Sequence, residues 1–215
     1  MNNRRQYMAR ACQLAAAGTM IGWMYPATRA ATPIRTGIAV PGPGNLLFLP
    51  ITLASRIGAD QAEGLELDIH YVSGGPVAYK SMLDRNVDFS AGGLPALALQ
   101  RVSGSPVVCI APITRVPAYT LLARADLKNK VKKIADLKGR VVGVKGHVPG
   151  GRSTSQLFTE FVLGTAGLTP EKVNFVSVGQ AYDSQHAALA SGTVDAIMGD
   201  EPFASRMVKA KVALA

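Results

Sequence analysis

The chain has 215 residues, of which 48% are hydrophobic and 17% are charged, and its formal net charge is +9. This is an ordinary globular composition, long enough for one large or two small domains. Four arginines and no acidic residue lie in the first 30 positions, which leaves a charge of +5 for the rest of the chain. That remainder has no basic patch interleaved with aromatic residues, so the composition argues against nucleic-acid binding.

The first 30 residues have the pattern of an export signal, because basic residues, an apolar stretch from Ala11 to Tyr25 and small residues up to Ala30 follow one another. The apolar stretch is too short and too rich in Ala and Gly for a comfortable transmembrane span. The motif Arg4-Arg5-Gln6-Tyr7-Met8 resembles a twin-arginine signature. We therefore predict export by the twin-arginine route with cleavage after Ala30. An ordinary secretory signal that begins with two arginines is the alternative.

The two cysteines give little chemical information. Cys12 would leave with the signal, so Cys109 would be the only cysteine of the mature chain. This predicts neither an internal disulfide nor a cysteine-based metal cluster. Since Cys109 lies in an apolar run, we expect it to be a small core residue.

Strands and helices alternate in the first half of the mature chain. The run from Val107 to Ile113 is apolar and β-branched, which is typical of a strand buried on both faces of a sheet. The patterns predict strands at 34–40, 65–72, 87–91 and 107–113, and helices at 47–57, 77–83 and 95–102.

The second half follows the same alternation. Tyr119 to Arg124 is predicted as a strand that leaves the first half, and the six cations between Asp126 and Arg140 are interpreted as solvated surface. Further strands are predicted at 141–145, 173–178 and 194–198, with helices at 155–162 and 181–190 and a last helix near Phe203. An apolar tail at 212–215 has the composition of another strand.

Two stretches of the chain resemble one another, at 64–95 and at 167–202. Each reads as a strand, a small-residue turn, a helix, a short Val-Asp strand and a turn that contains Gly and Pro. This spacing predicts βαβ units with parallel strands, and hence an α/β fold with two similar lobes and a cleft between them. The predicted divisions are a signal at 1–30, a first lobe at 31–117, a hinge or crossover at 118–125 and a second lobe at 126–215.

The loop from Gly146 to Ser153 nearly matches the phosphate-binding pattern G-x-x-x-x-G-K-[ST], with Arg152 in place of the lysine. A nucleotide-binding enzyme that uses this loop is therefore an alternative function. An exported protein meets little ATP, and the pattern requires a lysine, so we favour another interpretation. A Gly-rich turn before a helix presents free N–H groups to any anionic or polar ligand.

No other catalytic constellation is found: the sequence has no G-x-S-x-G motif, and its three histidines lack metal-ligand spacing. What recurs is a small polar loop after a strand, where ligands bind in open α/β sheets. Each loop taken alone is explained by turn chemistry.

Arg115 and Arg152 could clamp a carboxylate or sulfonate, whereas Asp200 and Glu201 favour an amine or hydroxyl. The candidate ligand-binding residues are Asn45, Ser73, Gly74, Gly75, Gly93, Thr114, Arg115, Gly151, Arg152, Ser153, Thr154, Gln180, Asp200 and Glu201.

Several motifs in this order resemble the periplasmic solute-binding proteins of ABC importers, in the branch for aliphatic sulfonates, taurine, nitrate and the thiamine pyrimidine precursor. The motifs are Glu63-Gly64-Leu65, Ser73-Gly74-Gly75, Ile134-Ala135-Asp136-Leu137-Lys138-Gly139, Ser191-Gly192-Thr193-Val194-Asp195-Ala196 and Glu201-Pro202. The resemblance implies a two-lobed, hinge-closing, monomeric protein in the periplasm, with helices on both faces of each sheet. It implies a small-molecule ligand held between the lobes and an inner-membrane permease as partner, without catalysis, cofactor, metal or nucleic acid.

The sequence departs from this family in length, because family members return to the first lobe after the second. The resemblance therefore implies a chain truncated after the second lobe, with an incomplete first lobe that exposes apolar surface. A related branch makes the thiamine pyrimidine and uses a cysteine-rich motif. Since Cys109 would be the only mature cysteine, we do not expect that enzyme activity.

Overall fold

The computed structural model describes residues 32–147 and 151–215. The predicted signal at 1–30 therefore lies outside the described residues, as do positions 148–150 of the Gly146 loop. The described chain forms two sheets with helices packed against them, so the predicted α/β fold with two lobes is confirmed.

The first sheet consists of three parallel strands: β1 (Ile34–Pro41), β2 (Leu65–Val72) and β3 (Phe89–Ser90). Their order across the sheet is β2-β1-β3. The helices of this first lobe are α1 (Leu49–Arg56), α2 (Ala59–Ala62), α3 (Gly75–Leu83) and α4 (Leu94–Val102). Proline stands in the first turn of α1, α3 and α4, where its missing N–H breaks no helical bond.

The second sheet has five strands: β4 (Tyr119–Arg124), β5 (Val141–Lys145), β6 (Asn174–Val178), β7 (Ala196–Asp200) and β8 (Ala213–Leu214). Their order is β6-β5-β7-β4-β8; β5 is parallel to β6 and β7, whereas β4 is antiparallel to β7 and β8. The helices of the second lobe are α5 (Thr154–Thr165), α6 (Tyr182–Ala190) and α7 (Phe203–Lys209).

The two similar stretches of sequence occupy equivalent places in the two lobes. The first contains β2, α3 and β3 and ends in the first turn of α4, and the second contains β6, α6 and β7 and ends directly before α7. In each lobe the strand that precedes them is central, which gives β2-β1-β3 in one and β6-β5-β7 in the other. Successive strands are therefore added first on one side of the central strand and then on the other. Where the order changes sides in this way, a crevice opens at the carboxyl ends of the strands.

Three expectations from the sequence differ from the structure. No strand forms over 107–113; Val108 and Ile110 are 75% and 72% exposed, because no described strand lies alongside to complete a ladder. Cys109 in this segment is exposed rather than in the core. The strand Tyr119–Arg124, expected to lead out of the first lobe, is β4 of the second sheet and pairs with both β7 and β8.

The second lobe has the larger core. Ala196 and Ile197 are neighbours on β7 but belong to two different clusters of buried side chains, as alternation along a strand buried on both faces requires. The first lobe has a smaller cluster of buried side chains around Ala39, Ala78 and Val87. Its surface retains apolar side chains, among them Leu94 and Val102 of α4.

No helix in the described part of the chain has both the length and the apolar character that a membrane crossing requires.

Candidate functional site

The carboxyl ends of the strands in the two sheets face each other, and a small cavity of about 30 Å³ lies between them. Its walls come from the segments at or after the ends of β1, β2, β3, β5 and β6 and from the start of β4. It is lined by Pro41, Asn45, Phe48, Gly75 and Gly93 of the first lobe and by Tyr119, Lys145, Ser153, Thr154, Ser155 and Gln180 of the second.

A buried ion pair forms one side of this cavity. Lys145 is the last residue of β5 and Asp200 the last of β7, and their side chains are 4% and 1% exposed. The Lys145 ammonium contacts Oδ1 of Asp200 and lies 5.3 Å from the ring centre of Tyr119. Burial lowers the pKa of Lys145, and the Asp200 carboxylate opposes that shift. Burial also raises the pKa of Tyr119, with a smaller contribution from Asp200.

Asn45 connects this ion pair to the first lobe. Its side-chain amide donates to Oδ2 of Asp200, so both carboxylate oxygens have a partner. The Asn45 carbonyl oxygen accepts from the amide of Leu47 at 2.8 Å and caps the short 3-10 helix from Leu46 to Phe48. The same residue therefore shapes the loop after β1 and bridges the lobes.

Further direct contacts join the two lobes beside the cavity. The amide nitrogen of the Gln180 side chain donates to the Ser73 carbonyl at 2.7 Å, and the Leu46 amide donates to the Glu201 carbonyl at 3.1 Å. The two backbones also pack closely at Gly74 and Gly146, since a Cβ on Gly74 would lie 2.6 Å from Cα of Gly146. Glycine at these positions lets the lobes approach.

Helix α5 directs its N-terminus at the cavity. Ser153 is the N-cap, and its hydroxyl accepts from the Gln156 amide at 3.2 Å. Thr154 and Ser155 are buried in the first turn, and the Ser155 hydroxyl accepts from the Lys145 amide at 3.3 Å. A helix N-terminus carries free N–H groups and a partial positive charge, both of which favour an anion.

On the opposite side, Tyr79 of α3 holds the loop that contains Gly93. Its hydroxyl donates to the Gly93 carbonyl at 3.1 Å, and burial raises the pKa of Tyr79 to about 12. A side chain at Gly92 would collide with this ring, and one at Gly93 would collide with Thr154. Glycines thus permit α3, the Gly93 loop and α5 to pack closely.

The arginine of the phosphate-loop pattern is directed along α5. Arg152 Nη1 lies 3.4 Å from Oε2 of Glu160, and the Arg152 side chain is 56% exposed. Glu160 also accepts from Gln156, which contacts Nδ1 of His147 at 2.9 Å. Arg152 does not line the cavity, so this structure does not place a cation where the pattern needs one.

The predicted candidates divide into three groups. Asn45, Gly75, Gly93, Ser153, Thr154 and Gln180 line the cavity. Ser73, Gly74, Asp200 and Glu201 take part in the contacts around it. Thr114 and Arg115 are exposed in the segment before β4, and Gly151 and Arg152 are not among the lining residues.

Sequence reasoning did not select five of the lining residues: Pro41, Phe48, Tyr119, Lys145 and Ser155. The available signal for Lys145 was a lysine at the end of an apolar, otherwise buried strand, directly before a glycine-rich turn. Tyr119 could be found only through the antiparallel register that sets it opposite Asp200.

Metal binding gains no support from this site. Within 32–147 and 151–215, no group of three or more His, Cys, Asp or Glu side chains is arranged to hold a metal ion.

Comparison with known proteins identifies relatives of this fold. YtlA of Bacillus subtilis (strain 168), named as a binding protein, is 26% identical over 174 residues, which cover 77% of this chain and 48% of YtlA. A protein from Bordetella bronchiseptica RB50 is 28% identical with a TM-score of 0.73, over 85% of this chain and 56% of that one. The alkanesulfonate-binding protein SsuA from Xanthomonas axonopodis pv. citri, solved bound to MOPS, has a TM-score of 0.65 at 22% identity, over 86% of this chain and 60% of SsuA.

The chain thus spans about half the length of the curated relative that it matches. Its residues 45–212 match the sequence model described as "NMT1/THI5 like". This match contains the strands of the second sheet up to β7 and all of the cavity-lining residues except Pro41. The chain belongs to the NMT1/THI5-like family.

Proposed function

We propose that this protein is the exported substrate-binding component of an ABC importer, which captures a small organic anion or a related small molecule between its two lobes and delivers it to a membrane permease. The observation that carries the proposal is the cavity between the facing strand ends, with a buried ammonium group and a helix N-terminus in its wall. A cavity that gathers hydrogen-bond donors and a helix N-terminus is suited to binding a small polar ligand.

The names of the relatives support this class of function. YtlA is named as a binding protein and SsuA as an alkanesulfonate-binding protein. Because each is matched over only part of its length, the transport role and the ligand remain proposals for this chain. Export through the N-terminal signal and a monomeric state are part of the same proposal.

The cavity volume implies that the lobes move. A cavity of about 30 Å³ is far smaller than the roughly 300–1,000 Å³ of typical small-molecule sites, so this arrangement of the lobes leaves little room for an organic ligand. The lobes must separate to admit a ligand and close again around it, as in the hinge motion of periplasmic binding proteins.

The strength of binding requires direct polar contacts. A helix N-terminus contributes only about 0.3–1 kcal/mol to a bound anion, whereas micromolar affinity requires about 8 kcal/mol net. Hydrogen bonds to a charged group contribute about 1.5–3 kcal/mol each. Several donors must therefore converge on the ligand, and the wall of this cavity offers them from both lobes.

A ligand panel tests the function. We expect one class among alkanesulfonates, taurine, nitrate, carboxylates and pyrimidines to raise the melting temperature, because a ligand at a hundred times its Kd adds about 2.7 kcal/mol. Small-angle X-ray scattering of the same samples should show a smaller radius of gyration in the bound state.

Mg-ATP is included in the panel to test the alternative function, a nucleotide-binding enzyme. The nucleotide alternative has no structural observation in its favour, because Arg152 pairs with Glu160 on the surface of α5. Stabilisation by Mg-ATP alone, or by no member of the panel, would contradict the proposed function.

A further inference from the structure

The Lys145 ammonium has more hydrogen-bonding capacity than its surroundings use. An ammonium group carries three N–H donors. Among the described residues, Asp200 is the one charged partner of Lys145, and the lysine side chain lines the cavity while only 4% exposed. A buried donor without an acceptor is costly, so the remaining N–H groups indicate where an acceptor from outside the protein would lie.

A second unsatisfied donor stands nearby. The Thr154 hydroxyl is buried in the cavity wall and finds no hydrogen-bond partner within the described part of the chain. Thr154 is the first residue of α5, a helix of 12 residues, so its hydroxyl adjoins the free N–H groups of the first turn. Lys145 and Thr154 therefore present donors from two different elements to one small space.

The Asp200 carboxylate already has two partners, because Oδ1 pairs with Lys145 and Oδ2 accepts from Asn45. Gln185 Oε1 is a buried acceptor without a hydrogen-bond partner among the described residues, but Gln185 does not line the cavity. The unpartnered polar groups that do line it, Lys145 and Thr154, can both donate, and a ligand with oxygen acceptors would satisfy them. The charges of Lys145 and Asp200 cancel, so the partial positive charge at the N-terminus of α5 is what remains to stabilise one negative charge on the ligand. A second negative charge would face the buried Asp200 carboxylate without a further cation to balance it.

We propose that Lys145, the Thr154 hydroxyl and the first turn of α5 form an oxyanion subsite for a singly charged group, a carboxylate or a sulfonate, and that Asp200 excludes dianions such as phosphate monoesters. This inference rests on the proposed function, because it assigns the ligand class of the same cleft. It differs from the expectation that Arg115 and Arg152 clamp the anion, since neither lines the cavity.

The test compares ethanesulfonate, propionate and ethyl phosphate by calorimetric titration at about pH 8, where the phosphate ester is a dianion. We expect the wild type to bind one of the two monoanions at least tenfold more tightly than ethyl phosphate. Thr154→Val removes the hydroxyl at constant shape and should weaken monoanion binding at least fivefold. Asp200→Asn should reduce the preference over ethyl phosphate at least tenfold, because it removes the like charge.

Lys145→Met alone would leave Asp200 buried without its counterion and could prevent folding. The double variant Lys145→Met/Asp200→Asn removes both charges together and should weaken monoanion binding at least tenfold. Thr165→Val and Lys172→Met are matched controls on exposed positions of the same lobe and should leave binding unchanged. Near-UV circular dichroism confirms that each variant is folded.

The outcomes separate this inference from the proposed function. If Thr154→Val and the double variant bind monoanions as the wild type does, or if ethyl phosphate binds equally well, the oxyanion subsite is wrong. If no oxyanion binds but a neutral or cationic small molecule binds and closes the lobes, the proposed function stands and this inference falls. If no small molecule binds, both fall.

Discussion

At the scale of single residues, Tyr79 shows how a buried group outside the cavity determines the geometry of its wall. The Tyr79 hydroxyl donates to the Gly93 carbonyl, and Gly93 packs against Thr154 at the start of α5. The contact is local, but it connects the first lobe to the helix that we expect to receive the ligand. Tyr79 is therefore a positioning residue for the Gly93 loop.

The raised pKa of Tyr79 predicts a pH dependence of stability. Its pKa is about 12 in the folded protein and about 10 in an unfolded chain, so between these values the unfolded state releases a proton that the folded state keeps. This contribution to stability is complete below about pH 10 and is lost as the pH rises toward 12.

Tyr79→Phe removes the titrating hydroxyl, and with it the hydrogen bond to the Gly93 carbonyl. The stability of the variant therefore lacks this pH dependence. We expect the variant to be less stable at neutral pH by about 1 kcal/mol and the difference from the wild type to shrink above about pH 10. Urea midpoints measured across this range check the prediction, with Tyr71→Phe, an exposed tyrosine, as control. Parallel curves for wild type and Tyr79→Phe would contradict it.

The sequence predicted some of these residues and not others, for physical reasons. Asn45, Gly93 and Thr154 follow strands as small polar residues, and the rule that ligands bind at the carboxyl ends of strands was sufficient to select them. Lys145 is the last residue of a strand, and its charge is balanced by Asp200, which is 55 positions away and is brought to it by the pairing of β5 with β7. Such a pair cannot be predicted from spacing along the chain.

At the scale of elements, helix α5 contributes most to the candidate site. Its N-cap Ser153 satisfies the Gln156 amide, and its first turn supplies Thr154 and Ser155 to the cavity. The sequence predicted this helix at 155–162, and the structure extends it to Thr154–Thr165. The start was predictable because a serine followed the glycine-rich loop.

Loss of the cap should destabilise this element. Ser153→Ala removes the acceptor for the Gln156 amide, and N-cap substitutions of this kind cost about 0.5–2 kcal/mol. Urea denaturation followed by far-UV circular dichroism measures the effect. Ser103→Ala is the control, because that exposed hydroxyl donates to the Leu99 carbonyl at the end of α4 rather than capping a free amide. Equal stability of both variants would mean that Ser153 does not act as a cap.

The failed strand prediction at 107–113 has an equally specific cause. An apolar, β-branched run fits a buried strand, but a strand forms only where a neighbour offers a ladder of hydrogen bonds. Within the described chain, β3 occupies the edge of the first sheet and pairs only through Phe89 and Ser90. Composition indicates the preference of a segment, whereas the sheet around it decides whether that preference is realised.

At the scale of the whole molecule, closure depends on how near the two backbones can come. Gly74 and Gly146 meet between the lobes, beside the hydrogen bonds of Gln180 with Ser73 and of Asn45 with Asp200. The two lobes could be predicted from the repeated strand and helix pattern. This contact could not, because it depends on their relative placement.

Gly74→Ala tests the importance of this approach. A Cβ at this position would lie 2.6 Å from Cα of Gly146, and backbone atoms of both lobes would have to move apart. We expect weaker ligand binding by about tenfold, corresponding to about 1.4 kcal/mol, and a larger radius of gyration in the bound state by small-angle X-ray scattering. The strain is steric alone, since the backbone of Gly74 is extended.

Gly164→Ala is the matched control, because a Cβ at this helical position meets nothing within 4 Å. It should leave both the affinity and the scattering profile unchanged. If Gly74→Ala binds and closes like the wild type, the close approach of Gly74 and Gly146 is not required for function.

The segment between α4 and β4 has a consequence for the kinetics of capture. Along the described residues, the strands of the first sheet all precede this segment and those of the second all follow it, so it tethers two bodies that otherwise meet through side chains and a few backbone contacts. A tether of this kind holds one partner at a local concentration on the order of millimolar around the other. Closure over a ligand then resembles a dimerisation within one molecule, and its rate depends on the reach and stiffness of the tether rather than on protein concentration.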